Sequence, residues 1–182
     1  MEELLVNPRH GVPGMVVLPE GGFRRARAEI TAWPGYAPTP LRELRPGLWW
    51  KDESARFGLR SFKALGGAYA VLRCLQMELA RAGVPGAVDG AALAAGLAAA
   101  AAARSTVDCA TDGNHGRSVA RGARRFGARC VIFVHHGVSQ GRRDAIAAFG
   151  AEVREVRGTY DDSVREAQRL AEDQGWHVIS DT

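Results

Sequence analysis

Lysine is almost absent from this chain. Lys and Arg together number 24 in 182 residues, and only Lys51 and Lys63 are lysines. Arginine carries charge as well, but its guanidinium stays protonated and cannot form a Schiff base, whereas a partly desolvated lysine amine can turn neutral and nucleophilic. A retained lysine in the run Ser61-Phe62-Lys63-Ala64-Leu65-Gly66-Gly67 is therefore the first residue to explain. Cysteine is scarce too. Cys74, Cys109 and Cys130 are odd in number and match no disulfide or metal framework, which implies buried, reduced thiols and a cytoplasmic setting. The opening Met1-Glu2-Glu3 lacks the shape of a signal peptide. The longest apolar stretch, Ala91 to Ala103, is too short and too weakly apolar to span a membrane, and reads as a surface helix or linker. No basic cluster or known nucleic-acid module accompanies the net charge of +4, so no nucleic-acid partner is expected.

What is present is a rhythm. Residues 1–40 are rich in Pro and Gly with little periodicity, and Arg24, Arg25 and Arg27 lie in this unstructured-looking part. Tyr36 to Leu41 must be extended, because Pro38 and Pro40 restrict their predecessors. Leu48 to Lys51 suits a short strand, and Asp52 to Arg60 a polar loop. Ser61 suits an N-cap, and Leu65, Ala68, Leu72, Leu75 and Leu79 give helical spacing up to Gly83 and Pro85. From Thr106 onward strands and helices alternate: 107–111, 130–135, 152–156 and 176–180 read as strands, and 114–126, 139–149 and 161–174 as helices. That alternation predicts an α/β fold with an open parallel βαβ sheet. The chain stops at Asp181-Thr182, directly after a strand and where a functional loop would begin, which reads as a truncation.

Two segments could carry chemistry. Lys63 precedes two glycines, and glycine inside a helix costs about 1 kcal/mol relative to alanine, so something must approach the backbone there, either a flat ligand or another helix. Thr111-Asp112-Gly113-Asn114-His115-Gly116 follows a strand and opens a helix, where free N–H groups suit an anion or polar ligand as well as an ordinary cap. His135 and His136 are adjacent on a strand and so point apart, which disfavours a shared metal. Asp161 and Asp162 read as helix-opening acids. Asp181, at the carboxyl end of the last strand, is a further candidate acid.

Taken together, several runs resemble the fold type II pyridoxal-phosphate enzymes. They are 36–41, Lys51-Asp52-Glu53-Ser54, Arg56-Phe57-Gly58-Leu59, Ser61 to Tyr69, Ala110 to Gly116, Gly150-Ala151-Glu152, Tyr160-Asp161-Asp162 and Ser180-Asp181-Thr182. Within that group the likeness is to the diaminopropionate ammonia-lyases, because of Arg56-Phe57-Gly58-Leu59 and of Asp112 where dehydratases carry Ser. The resemblance implies pyridoxal 5'-phosphate as cofactor, Lys63 as its Schiff-base lysine, and Gly113, Asn114 and His115 lining the ring and substrate. It implies Asp112 and Asp181 as acid–base groups, and no metal. It implies α,β-elimination of a small amino acid, 2,3-diaminopropionate, to pyruvate and ammonia, in a family that forms homodimers at full length. It divides the chain into 1–86, an N-terminal extension with the start of the large domain; 87–104, the Ala-rich linker; and 105–182, the small βαβ domain. The family's phosphate-binding loop falls beyond residue 182, so weak cofactor binding, low turnover and exposed apolar surface on the Lys63 helix are expected. The competing expectations are a serine or threonine dehydratase and a non-catalytic fragment.

Overall fold

The computed structural model describes residue 8 and residues 19–84 and 88–181. The acidic start, most of the Pro- and Gly-rich opening, the Pro85 stop signal and Thr182 lie outside the described residues. The framework is a four-stranded parallel sheet of β3 (Thr106–Ala110), β4 (Arg129–His135), β5 (Glu152–Val156) and β6 (His177–Val178), in the spatial order β5-β4-β3-β6. Helices α5 (Asn114–Phe126), α6 (Gln140–Ala147) and α7 (Tyr160–Gln174) connect these strands. The chain winds from β3 out to β5, then returns through α7 to the other side of β3. The end of β3 is thus the point where the winding reverses, and open α/β sheets bind their ligands at such points.

Period-two alternation along β3 sends Val107 and Cys109 to one face and Asp108 to the other. The first face belongs to the main core with Ile132, Val119, Ala123, Phe126 and Ile146. The opposite face packs Val131 and Phe133 against Ala167 of α7. Glycine ends both long connecting helices, with Gly127 at φ +83° and Gly175 at φ +68°. Thr159 accepts from the Asp162 N–H while Asp162 accepts from the Thr159 N–H, so the expected acidic cap of α7 is a reciprocal box.

Helix α2 (Lys63–Arg81) lies against α5 along nearly its whole length. It buries Ala64, Gly67, Ala68, Val71, Leu72, Leu75 and Leu79. The two helices touch backbone to backbone: a Cβ at Gly122 would come 2.7 Å from Ala68 Cα. One at Gly67 would come 2.6 Å from Ser118 Oγ, whose oxygen accepts the Ala68 N–H at 3.1 Å. Of its larger apolar side chains, only Phe62, just before α2, and Met77 are prominently exposed, so the lysine helix is mostly covered.

Three expectations are corrected. The stretch 20–31 is a helix, α1 (Glu20–Thr31), rather than an irregular arm: Pro19 stands at its start, Glu20 pairs with Arg24, and the following Trp33 docks in the core. Leu41–Arg45 is a strand, β1, paired antiparallel with β2 (Leu48–Lys51) around a Pro46-Gly47 turn. Ser61 does not cap α2, which starts from Phe62, although its hydroxyl accepts the Lys63 N–H at 3.2 Å. The Ala-rich segment forms two short helices, α3 (Gly90–Ala94) and α4 (Ala99–Ala102), with Leu93 and Ala102 buried. Among the described residues no helix is long and apolar enough to cross a membrane.

Candidate active site

All six residues singled out from the sequence, Lys63, Asp112, Gly113, Asn114, His115 and Asp181, line one cleft of about 540 Å³. Three elements bring them there. The turn after β3 carries residues 111–114, the segment after β6 carries Asp181, and α2 contributes Lys63 from its first turn.

The turn after β3 is set by Thr111. Its Oγ1 accepts the N–H groups of Gly113 at 3.0 Å and Gly116 at 3.2 Å. Its methyl occupies the space a side chain at 116 would need, since a Cβ there would lie 2.5 Å from Thr111 Cγ2. The other first-turn N–H groups of α5 have no partner within the helix, and the dipole there favours negative charge. Asn114 is exposed in this first turn.

Lys63 Nζ donates to Asp181 Oδ2 in an ion pair, with the lysine side chain 32% and the aspartate 24% exposed. His115 is buried, and its Nε2 lies 2.7 Å from the Ile179 carbonyl oxygen. A carbonyl only accepts, so Nε2 carries the proton, and Nδ1 is the nitrogen that faces Asp181 at 3.8 Å. Burial pushes the Asp181 carboxyl up, but the Lys63 hydrogen bond and the nearby His115 and Lys63 outweigh it and hold the carboxyl below its usual range. Ile179 N–H in turn donates to the Asp108 carbonyl at 2.8 Å, which registers this segment against β3.

Asp112 behaves differently. Its side chain is 60% exposed, and Oδ1 lies 3.2 Å from His135 Nε2. The neighbouring His136 takes its own partner, donating from Nδ1 to the Gly158 carbonyl at 2.8 Å. The two rings therefore serve separate contacts, and among the described residues no group of His, Cys, Asp and Glu is arranged to hold a metal ion.

Sequence reasoning placed Thr111 in the ligand-facing run without giving it a role of its own, and missed Tyr160, Arg117 and Arg142 as cleft residues. Tyr160 opens α7 after β5, and burial first, then the charges of Asp181 and Asp112, push its hydroxyl pKa up. Its position just after a strand was the available signal. Arg142 on α6 reaches the Asp112 carbonyl at 3.5 Å, and nothing in its local pattern marked it.

The segment leading to Lys63 is pinned by a buried arginine. Arg56 donates to Glu53, to the Ala37 carbonyl at 2.9 Å and to Thr39 Oγ1 at 2.8 Å. Its hydrogen bond is the leading reason the Glu53 carboxyl falls to about 2. Just after Arg56, Phe57 stands at φ +47° and Arg60 at φ +57°, conformations that non-glycine residues rarely adopt.

The model of the family described as pyridoxal-phosphate dependent enzyme matches residues 32–182. Diaminopropionate ammonia-lyase from Escherichia coli (strain K12) is 40% identical over 159 residues, covering 81% of this chain and 38% of that protein. The protein of the same name from Salmonella typhimurium (strain LT2) is 40% identical over 162 residues, with 82% and 38% covered. The crystal structure of holo diaminopropionate ammonia lyase from Escherichia coli superposes with a TM-score of 0.75 at 37% identity, over 87% of this chain and 41% of that one. The chain thus spans about 38% of the length of these two curated relatives.

Proposed function

The chain belongs to the pyridoxal-phosphate dependent enzymes, and on that premise we propose that its cleft serves the α,β-elimination of 2,3-diaminopropionate, which with one water yields pyruvate and two ammonia. The observation that carries this reading is the meeting of one lysine with two carboxylates, Asp112 and Asp181, in a single cleft. A substrate with a β-amino group carries one more protonatable amine than a hydroxyl amino acid, and a second carboxylate suits that amine.

The residues present fit the cofactor. Lys63 offers a primary amine on the cleft wall, and the adjacent Gly66 leaves open space, with nothing within 4 Å of the point a Cβ would take. Lys63, Gly113, Asn114 and His115 would hold the group. When bound, pyridoxal phosphate supplies an electron sink for negative charge at the substrate Cα. The protein's part is proton handling. Asp181 already accepts from the Lys63 amine, so as an ionised carboxylate it orients that amine in the cleft for its work as nucleophile or base. Asp112, at the more open side, can hand a proton to the departing β-amino group. The first turn of α5 provides N–H donors for the substrate carboxylate. His115 anchors the Asp181 segment through Ile179.

The test is to incubate the chain with pyridoxal phosphate, remove the excess, reduce with borohydride and map the labelled peptide. Label on Lys63, lost in Lys63→Ala, supports the reading; label spread over Lys51 and the N-terminus sinks it. Pyruvate release from diaminopropionate, against serine and threonine, then decides between the ammonia-lyase and the dehydratase.

A further inference from the structure

Asp112 is the more exposed of the two cleft carboxylates, on a loop where a free side chain would wander between rotamers. What stands against it is His135, the last residue of β4, one strand over from β3. His135 Nε2 lies 3.2 Å from Asp112 Oδ1. On the far side of the same ring, Nδ1 accepts the Gly137 N–H at 3.1 Å. A ring nitrogen that accepts carries no proton, so the neutral imidazole keeps its single proton on Nε2, the atom beside the carboxylate.

The seat for this ring is built into the backbone. A Cβ at Gly137 would come 2.8 Å from His135 Cε1 and 3.1 Å from its Nδ1. The ring therefore fills space that any other residue at 137 would claim. The surrounding charged and titratable groups are His136, edge-on at 6.1 Å between ring centroids, Arg142 from α6 at the Asp112 carbonyl, and Tyr160 from α7, which feels the Asp112 charge.

We propose that His135 is a positioning residue, holding the Asp112 carboxylate at the cleft through its Nε2 proton while Gly137 fixes the ring. The proposal rests on the reading of Asp112 as an acid–base group of the cleft. Its physical content is independent of that reading: one carboxylate rotamer is selected by one imidazole tautomer.

The experiment is nuclear magnetic resonance on the 182-residue chain without cofactor, followed by kinetics with it. His135 should show the Nε2–H tautomer, and its Nε2 resonance should move on Asp112→Ala and not on Asp181→Ala. The Asp112 Hα–Hβ couplings should report one rotamer in the wild type and averaged rotamers in both His135→Leu and Gly137→Ala. In turnover, His135→Leu should lower kcat about 10-fold or more with KM little changed, a loss of the size that misplacement of a reacting group produces. His135→Gln, which can offer an N–H from a similar place, should recover most of it. An Nδ1–H tautomer, or Asp112 couplings indifferent to His135→Leu, overturns the proposal. A chain that leaves diaminopropionate untouched while the couplings respond would count against the proposed function alone.

Discussion

The two sheets among the described residues rest on opposite terms. In the parallel sheet, β3 buries four of its five residues and β4 five of its seven. In the β1–β2 hairpin all nine residues are exposed, among them Leu41, Leu44, Leu48, Trp49 and Trp50. The two inner strands of the first sheet are held by apolar burial on two faces. The second is held by its turn, its ladder and its anchors: Asp52 N–H donates to the Pro40 carbonyl at 2.9 Å, and Lys51 donates to the Thr39 carbonyl at 2.6 Å. A free two-stranded hairpin is marginal in water, so tethering at its base is what makes this one persist. Strand identity here says little about energetic weight.

The comparison can be sharpened first at Asp108, the one acid in the buried sheet with both carboxylate oxygens lacking a hydrogen-bond partner. Burial pushes its pKa from 3.8 up to about 7. Below about pH 4 the group is protonated in both folded and unfolded chains and makes no difference. Between there and about pH 7 the unfolded chain releases the proton while the folded chain keeps it, so stability falls as pH rises and stays low above. Asp108→Asn removes that dependence. At pH 8 it should gain up to about 4 kcal/mol over wild type, and at pH 4 almost nothing. Urea titrations at both pH values check it, and equal effects at the two would refute it.

Next in size is the α2–α5 contact. Gly122→Ala must drive a methyl into the Ala68 backbone, and should cost about 1–3 kcal/mol by the same titration. The smallest effect belongs to the hairpin: Trp49→Ser should cost about 1 kcal/mol, because more than half of the side chain is already exposed. A loss above about 2 kcal/mol in a thermal melt would show that the hairpin carries weight after all.

The same contrast governs what the sequence disclosed. The helix 114–126 and the strand 152–156 were legible to the residue: burial gives the helix its periodicity, whereas the strand, none of whose residues is buried, is marked by the glycines at 150 and 158. Helix α1 was hidden, since none of its residues is fully buried and its arginine-rich face shows no apolar stripe. Strand β1 was hidden because its residues face solvent, although Pro46-Gly47 is a turn signal. In the cleft, residues on chain segments with distinctive local chemistry were found, and those contributed by ordinary-looking helix positions, Arg117 and Arg142, were not. A side chain that gains its role only by tertiary approach leaves no mark on its neighbours in the chain.

Gly66 and Gly67 sit one residue apart and answer to different neighbours. Position 67 is closed by Ser118 of α5, whereas position 66 faces open space beside Phe62, Lys63 and Asp181. An alanine at 66 would favour the helix by about 1 kcal/mol. The molecule forgoes that gain and keeps an unobstructed floor under its lysine. Protein engineers therefore have, within a single peptide unit, one dial for the fold and another for the breadth of what the cleft admits.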